Sequence, residues 1–441
     1  MSVKVRAALT AYRGKVLTLT ESSVPGNVRC QVWDDGCLIV DQNGLIVEVG
    51  PCPSSFADDT IVHDLRPYWL LPSFIDSHIH FCQLDLIGCY AGELLQWLSS
   101  HTFPHEQALM EDEDLLRGSA QVFVDQLLIH GTSFACIYGP SQTLPTKILL
   151  EELAKRGIRA IVGKASMDRH APSGLLDSIE NDLAAHEALY QSWHNHQNLQ
   201  RLFYAITPRF APSCSDDMMR CLGDFKKRNP DVYVQTHYAE NLDEIRWIHE
   251  LYPQTLDYLA VYEDFNLIGP KTLLGHGIHV SPDERHRLSQ SGATIVHCPT
   301  SNMFLGSGLC PVNWLQEGSV KLSLGTDVGA GTSFSLWQTM AEAYKVAKLR
   351  GESLTPEELF YLSTLGAADN LGFRGSLGSL SQGKRADFQV IDPSQQSLFA
   401  RRLDHVHDVQ QLLFAFMHHC DDRCVAATYV DGQKLSAPYK A

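Results

Sequence analysis

The stretch Leu71-Pro-Ser-Phe-Ile-Asp-Ser-His-Ile-His80 decides the fold. A short apolar run closes on two histidines two residues apart, and alternate side chains of a strand leave the same face, so both imidazoles can reach one ion. Among 20 histidines such a pair also arises without any metal, so its meaning depends on the rest of the chain.

The rest of the chain repeats one unit. Strand-like runs end near His80, Tyr138, Met167, Arg209, His237, His276, Cys298 and Asp327, and the stretches between them carry helical apolar spacing, as at Leu116, Ala120, Phe123 and Leu127. Alternating strands and helices predict βα units around a parallel sheet, and eight units predict a closed α/β barrel. A doubly wound open sheet is the alternative, but no G-x-G-x-x-G opens a helix after the first strand.

The two ends of the chain read differently. Cys37-Leu-Ile-Val40 and Leu45-Ile-Val-Glu-Val49 flank the turn Asp41-Gln-Asn-Gly44. Asp387-Phe-Gln-Val-Ile391 and Val425-Ala-Ala-Thr-Tyr-Val430, running into Asp431-Gly432, repeat the pattern near the other end. The ends are expected to pair as one small β-domain, residues 1–70 with 380–441, beside a barrel of residues 71–379.

Composition narrows the partners. The chain has 441 residues, 44% of them hydrophobic, enough for a large core and a second unit. A formal net charge of -16 repels phosphate backbones and anionic lipid, so neither nucleic acid nor membrane is expected as a partner. Met1–Arg6 leads into no long apolar run, so a cytoplasmic location is expected. The 12 cysteines are scattered and are expected to be reduced. Cys420 and Cys424, with His418 and His419 beside them, have metal-binding chemistry, but free thiols near a domain seam are the expected reading. No P-C-x-x-C is present, which argues against the small zinc deaminase fold.

The chemistry gathers at strand ends. Val232-Tyr-Val-Gln-Thr-His237, Thr272-Leu-Leu-Gly-His276 and Val320-Lys-Leu-Ser-Leu-Gly-Thr-Asp327 each finish on a metal-binding side chain, and in a βα barrel those ends share one mouth. With His78 and His80 they make four imidazoles and a carboxylate, a donor set for a divalent ion that keeps a position open for water. Glu240, three residues past His237, is the candidate proton shuttle; its alternative is a solvated glutamate at a helix start.

Phe74-Ile-Asp-Ser-His-Ile-His80, His237-Tyr-Ala-Glu240, the isolated His276 and Gly325-Thr-Asp327 together resemble the amidohydrolase superfamily. The resemblance implies a distorted (β/α)8 TIM-like barrel with a small β-sandwich domain built from both chain ends. Branches with two metals bridge them through a modified lysine on the fourth strand. Here that strand reads Leu202-Phe-Tyr-Ala-Ile-Thr-Pro-Arg209, without lysine, so the resemblance implies one divalent metal per chain. By the same resemblance His78, His80, His237 and Asp327 are its ligands, and His276 orients the nucleophile rather than completing the shell. Zinc is the family expectation, although imidazole and carboxylate donors also accept Fe2+ or manganese.

Further segments resemble the guanine deaminase branch: His80-Phe-Cys-Gln83, Leu94-Leu-Gln-Trp-Leu-Ser-Ser-His-Thr-Phe-Pro104, Val162-Gly-Lys-Ala-Ser-Met-Asp168, Ile206-Thr-Pro-Arg-Phe-Ala-Pro-Ser213, His297-Cys-Pro-Thr-Ser-Asn302 and Gly325-Thr-Asp-Val-Gly-Ala-Gly331. Asp421-Asp-Arg423 also matches, whereas His418, His419, Cys420 and Cys424 fall outside the pattern. The resemblance implies hydrolysis of guanine to xanthine and ammonia in purine catabolism, by a homodimer. It assigns Gln83, Arg209 and Phe210 to the purine, bordered by His237 and Glu240. Trp97 is either a further pocket residue or a core tryptophan. The implied reaction is attack at C2 by a hydroxide formed with help from Asp327, with Glu240 supplying a proton to N3 and Glu240 or Asp327 protonating the departing amine. Sister enzymes acting on a pterin, another oxopurine, a nucleoside or a triazine share the metal machinery, and Gln83 with Arg209-Phe210 favours guanine among them. A non-catalytic scaffold is disfavoured because every expected ligand and Glu240 are present.

Overall fold

The computed structural model describes residues 9–90, 92–195, 197 and 200–437; the expectation resting on Met1–Arg6 lies outside them. The chain divides into two compact units, one of residues 76–126 and 134–354, the other of residues 1–75, 127–133 and 355–441.

The first unit holds most of a nearly closed parallel barrel. Its strands, Phe74–His80, Thr132–Tyr138, Arg159–Gly163, Leu202–Pro208, Tyr233–Tyr238, Thr272–His276, Thr294–His297 and Lys321–Leu324, are hydrogen-bonded in sequence order. Parallel strands need crossovers, and the helices that supply them cover the outer face, so strands such as Leu202–Pro208 are buried at every residue. The ring closes beyond the last strand, where Asp327 N–H donates to the His78 carbonyl at 2.8 Å and His80 N–H donates to the Val328 carbonyl at 2.9 Å. Observed strand ends fall within a few residues of those read from the sequence. Leu116, Ala120 and Phe123 lie on one buried stripe of the helix Glu113–Ile129, and Phe123 meets Phe81 edge-on at 5.5 Å.

In the second unit, strands from both chain ends form one seven-stranded sheet. Thr10–Leu19 pairs antiparallel with Cys30–Val40 and parallel with Ile61–Pro72, and Phe388–Ile391 joins Ile61–Pro72 with Phe388 opposite Pro72. The expected turn is present: Asp41 Oδ1 accepts from the N–H groups of Asn43 and Leu45, both at 2.9 Å, and Gly44 takes φ of +80°. Two long strands were not legible in the pattern, Thr10–Leu19 and Ile61–Pro72. Arg13-Gly-Lys15 and Arg66-Pro67 interrupt their alternation, and the register shifts between Arg13 and Lys15.

Candidate active site at the barrel mouth

Two of the strands that carry the site end on a left-handed residue. His276 has φ of +77° and Asp327, just beyond its strand, has φ of +52°. Such a conformation costs a non-glycine residue on the order of 1–3 kcal/mol and persists only where the surroundings hold it. Two nearby glycines make room for His78: a Cβ on Gly275 would stand 2.6 Å from His78 Cε1, and one on Gly325 would stand 2.7 Å from His78 Cβ. Asp76 ties the first strand to the last by accepting from His78 N–H at 3.2 Å and from Thr326 N–H at 3.1 Å.

These constraints bring His78, His80, His237 and Asp327 together, one donor atom from each lying within 4.8 Å of all the others. Asp327 Oδ1 is 3.2 Å from both His78 Nε2 and His80 Nε2, and the Nε2 atoms of His80 and His237 are 3.1 Å apart. His237 Nδ1 donates to the Arg209 carbonyl at 2.6 Å, which leaves its Nε2 lone pair facing the cluster. Burial pushes His80 down to about 4 and, with His78 next to it, holds His237 well below the usual histidine range. Burial alone would raise the Asp327 carboxyl, but His78 and His80 outweigh it and hold that carboxyl well below the usual range. Neutral imidazoles and an ionised carboxylate are the forms that bind a metal. Both ring nitrogens of His78 are buried without a hydrogen-bond partner, so the donor set fits a divalent cation.

The fourth strand carries no lysine. Lys164, fully buried just past the third strand, is engaged by Asp182 and by Asp177 at 3.3 Å.

His276 stands beside this cluster. Its Nε2 lies 3.4 Å from Glu240 Oε2 and 3.8 Å from Asp327 Oδ2, and its Nδ1 donates to Asn302 Oδ1 at 2.8 Å. Cys298 is also within reach of His276 and Asp327. Glu240 is not the solvated glutamate of the alternative reading, being only 2% exposed. The loop that carries it is held by the next helix, Leu242–Leu251, in a capping box of Asn241 and Glu244, and Glu244 Oε2 accepts from Glu240 N–H at 3.0 Å. Ser307 Oγ donates to Glu240 Oε1 at 3.0 Å. Burial, with the Asp327 carboxylate nearby, raises the Glu240 carboxyl well above the usual carboxylate range, which favours its protonated form.

Above these groups is a cavity bordered by Gln83, Trp97, Arg209, Phe210 and Glu240. Trp97 satisfies both readings, since it lines the cavity and also packs with Leu86, Leu94 and Leu305. Arg209 pairs with Glu106, and both are buried. Sequence reasoning missed Glu106, Asn302, Ser307 and Tyr138. The Tyr138 ring lies 4.5 Å from His78, 4.7 Å from His80 and 5.0 Å from His237, centroid to centroid. Asn302 closes the motif that begins at His297, and Glu106 lies two residues past Pro104, the end of another, so proximity to those motifs was the available signal.

A family model described as "Amidohydrolase family" matches residues 69–435. The chain belongs to the amidohydrolase family. Within it, the chain is 40% identical over 431 residues to the guanine deaminase of Escherichia coli (strain K12), covering 96% of this chain and 97% of that one. To the guanine deaminase of Homo sapiens it is 32% identical over 377 residues, 83% of each chain. Among solved structures, a guanine deaminase from C. acetobutylicum with bound guanine in its active site superposes with a TM-score of 0.88 at 30% identity, covering 97% of this amidohydrolase and 100% of that chain.

Proposed function

We propose that this amidohydrolase is a guanine deaminase, converting guanine and water to xanthine and ammonia. The observation that carries the reading is one cavity with two kinds of lining. Glu240, Asp327, His80, His237 and His276 line it, and Arg209 and Gln83 line the same space. Arginine only donates, so it matches the O6 carbonyl of guanine, and the glutamine amide complements ring nitrogens. Phe210, 5% exposed, offers a flat apolar face to the purine ring.

His78, His80, His237 and Asp327 would hold the cation, which when bound lowers the pKa of a water molecule and so supplies a nucleophile at neutral pH. The Asp327 carboxylate accepts the proton that the water gives up, and His276 orients the oxygen toward C2. Glu240, protonated, gives its proton to N3 as the C–O bond forms. The C2 hydroxyl proton passes to the now ionised Glu240 as the C2 carbonyl forms, the amino group gains a proton from Asp327 or from Glu240 so reprotonated, and the C–N bond breaks to release ammonia. Zinc suits this donor set, one ion per chain accords with the absence of a lysine on the fourth strand, and scattered cysteines kept as thiols suit a reducing cytoplasm. Among the described residues no helix is long and apolar enough to cross a membrane. Resemblance to the guanine deaminases supports a homodimer serving purine catabolism. The test is guanine conversion followed by ultraviolet absorbance with metal quantified in the same sample; metal-loaded protein that leaves guanine unchanged overturns the proposal.

A further inference from the structure

Arg209 borders the cavity, and a carboxylate stands behind it. Glu106, 2% exposed and not itself a wall of the cavity, accepts from Arg209 Nη1 on both oxygens, at 3.0 and 2.9 Å. The same Glu106 Oε1 accepts from Gln83 Nε2 at 3.4 Å, while Gln83 Oε1 accepts from Gly329 N–H at 3.4 Å. Phe103, one helical turn before Glu106 in the helix Phe103–Met110, lies under the guanidinium with its ring centroid 5.3 Å from Cζ. One short helix therefore clasps Arg209 and also restrains Gln83.

An arginine buried without this partner would be an uncompensated positive charge, and an anion entering the cavity would supply the missing compensation. With Glu106 present the charge is already balanced. Nη1 is occupied, and the remaining guanidinium N–H groups meet a neutral acceptor without gaining from a negative one. The distinction matters for the proposed reaction, because its product carries an imide. Xanthine has a second carbonyl where guanine has the amino group, so it loses a ring proton more readily than guanine does.

We propose that Glu106 sets the charge specificity of the pocket: by neutralising Arg209 from behind and restraining Gln83, it admits neutral oxopurines and disfavours their anions, the product anion above all. The inference rests on the proposed assignment of Arg209 to the purine. Glu106 acts through Arg209 and Gln83 and is a positioning and specificity-determining residue.

The test is inhibition of guanine turnover by added xanthine, measured across the pH range in which xanthine ionises. In the wild type the inhibition constant should rise with pH as the neutral form disappears; a flat or falling profile overturns the proposal and needs no variant. In Glu106→Gln the rise should vanish or reverse, with xanthine at the alkaline end binding at least about tenfold more tightly than to the wild type. Glu106→Asp, which keeps the charge, should retain the wild-type slope. Should Glu106→Gln not fold, Glu106→Gln/Arg209→Gln removes both charges and should show no alkaline tightening, while tightening there overturns the proposal. Identical slopes in the wild type and Glu106→Gln also overturn it. An Arg209→Ala variant with an unchanged preference for guanine over 2-aminopurine would instead remove the assignment of Arg209 on which the inference stands.

Discussion

His276 is held by Asn302: its Nδ1 donates to the amide oxygen at 2.8 Å, and its Nε2 is turned to Glu240 and Asp327. A hydrogen bond of this kind fixes both the tautomer and the ring plane of a histidine, and losing one costs about 10–100-fold in affinity or activity at comparable sites. Asn302→Ala should lower kcat by about that factor while metal content stays at the wild-type level. Metal analysis beside steady-state kinetics checks it; loss of metal would make Asn302 a support of the ligand cluster instead of His276.

The purified protein should carry about one divalent metal per chain, because the four donors make one set and Lys164, beside the fourth strand, is held by acids. Chelation should abolish activity and restored metal should return it. Two metals per chain at full activity would refute the single-ion assignment.

Glu240→Gln should lose at least about a hundredfold in turnover with metal content intact, because the amide has no proton to deliver. Loss of metal in that variant would mark Glu240 as a ligand. The same substitution has a stability signature. The folded-state pKa of Glu240 is raised, by burial first and Asp327 second, so protonation favours the fold. That contribution is complete below the ordinary value of 4.5 and is lost as pH rises toward the folded value. Glutamine does not ionise, so the Tm of Glu240→Gln relative to the wild type should grow as pH is raised from 4.5, read by calorimetry on metal-free protein.

Arg209→Ala should lower kcat/KM for guanine severely while leaving metal content unchanged. Buried donors left facing the wrong group can discriminate by about ten-thousandfold, and 2-aminopurine keeps the reactive amino group but lacks O6. Wild type and variant are compared on both substrates. An unchanged ratio of kcat/KM values would mean that Arg209 serves only its ion pair with Glu106.

Features that depend on local periodicity were legible in the chain alone. Apolar runs ending in His80, His237 and His276 located those strand ends, because an element a few residues long buries a pattern that its own residues carry. The ligand candidates came with them, since the strand ends of a βα barrel share one mouth. Even there the end sheet was read only in part, two of its long strands being broken by charged residues, glycine and proline. Which groups meet across the chain was settled by folding. Glu106 lies 103 residues from Arg209, Ser307 lies 67 from Glu240, and Tyr138 comes under three imidazoles from a neighbouring strand. Whether Glu240 is a base or an acid was likewise undecided in the chain, because a carboxyl takes its charge state from burial and from the charges around it. Those exist only once the barrel has closed, when loss of water and the nearby Asp327 carboxylate together favour the protonated form.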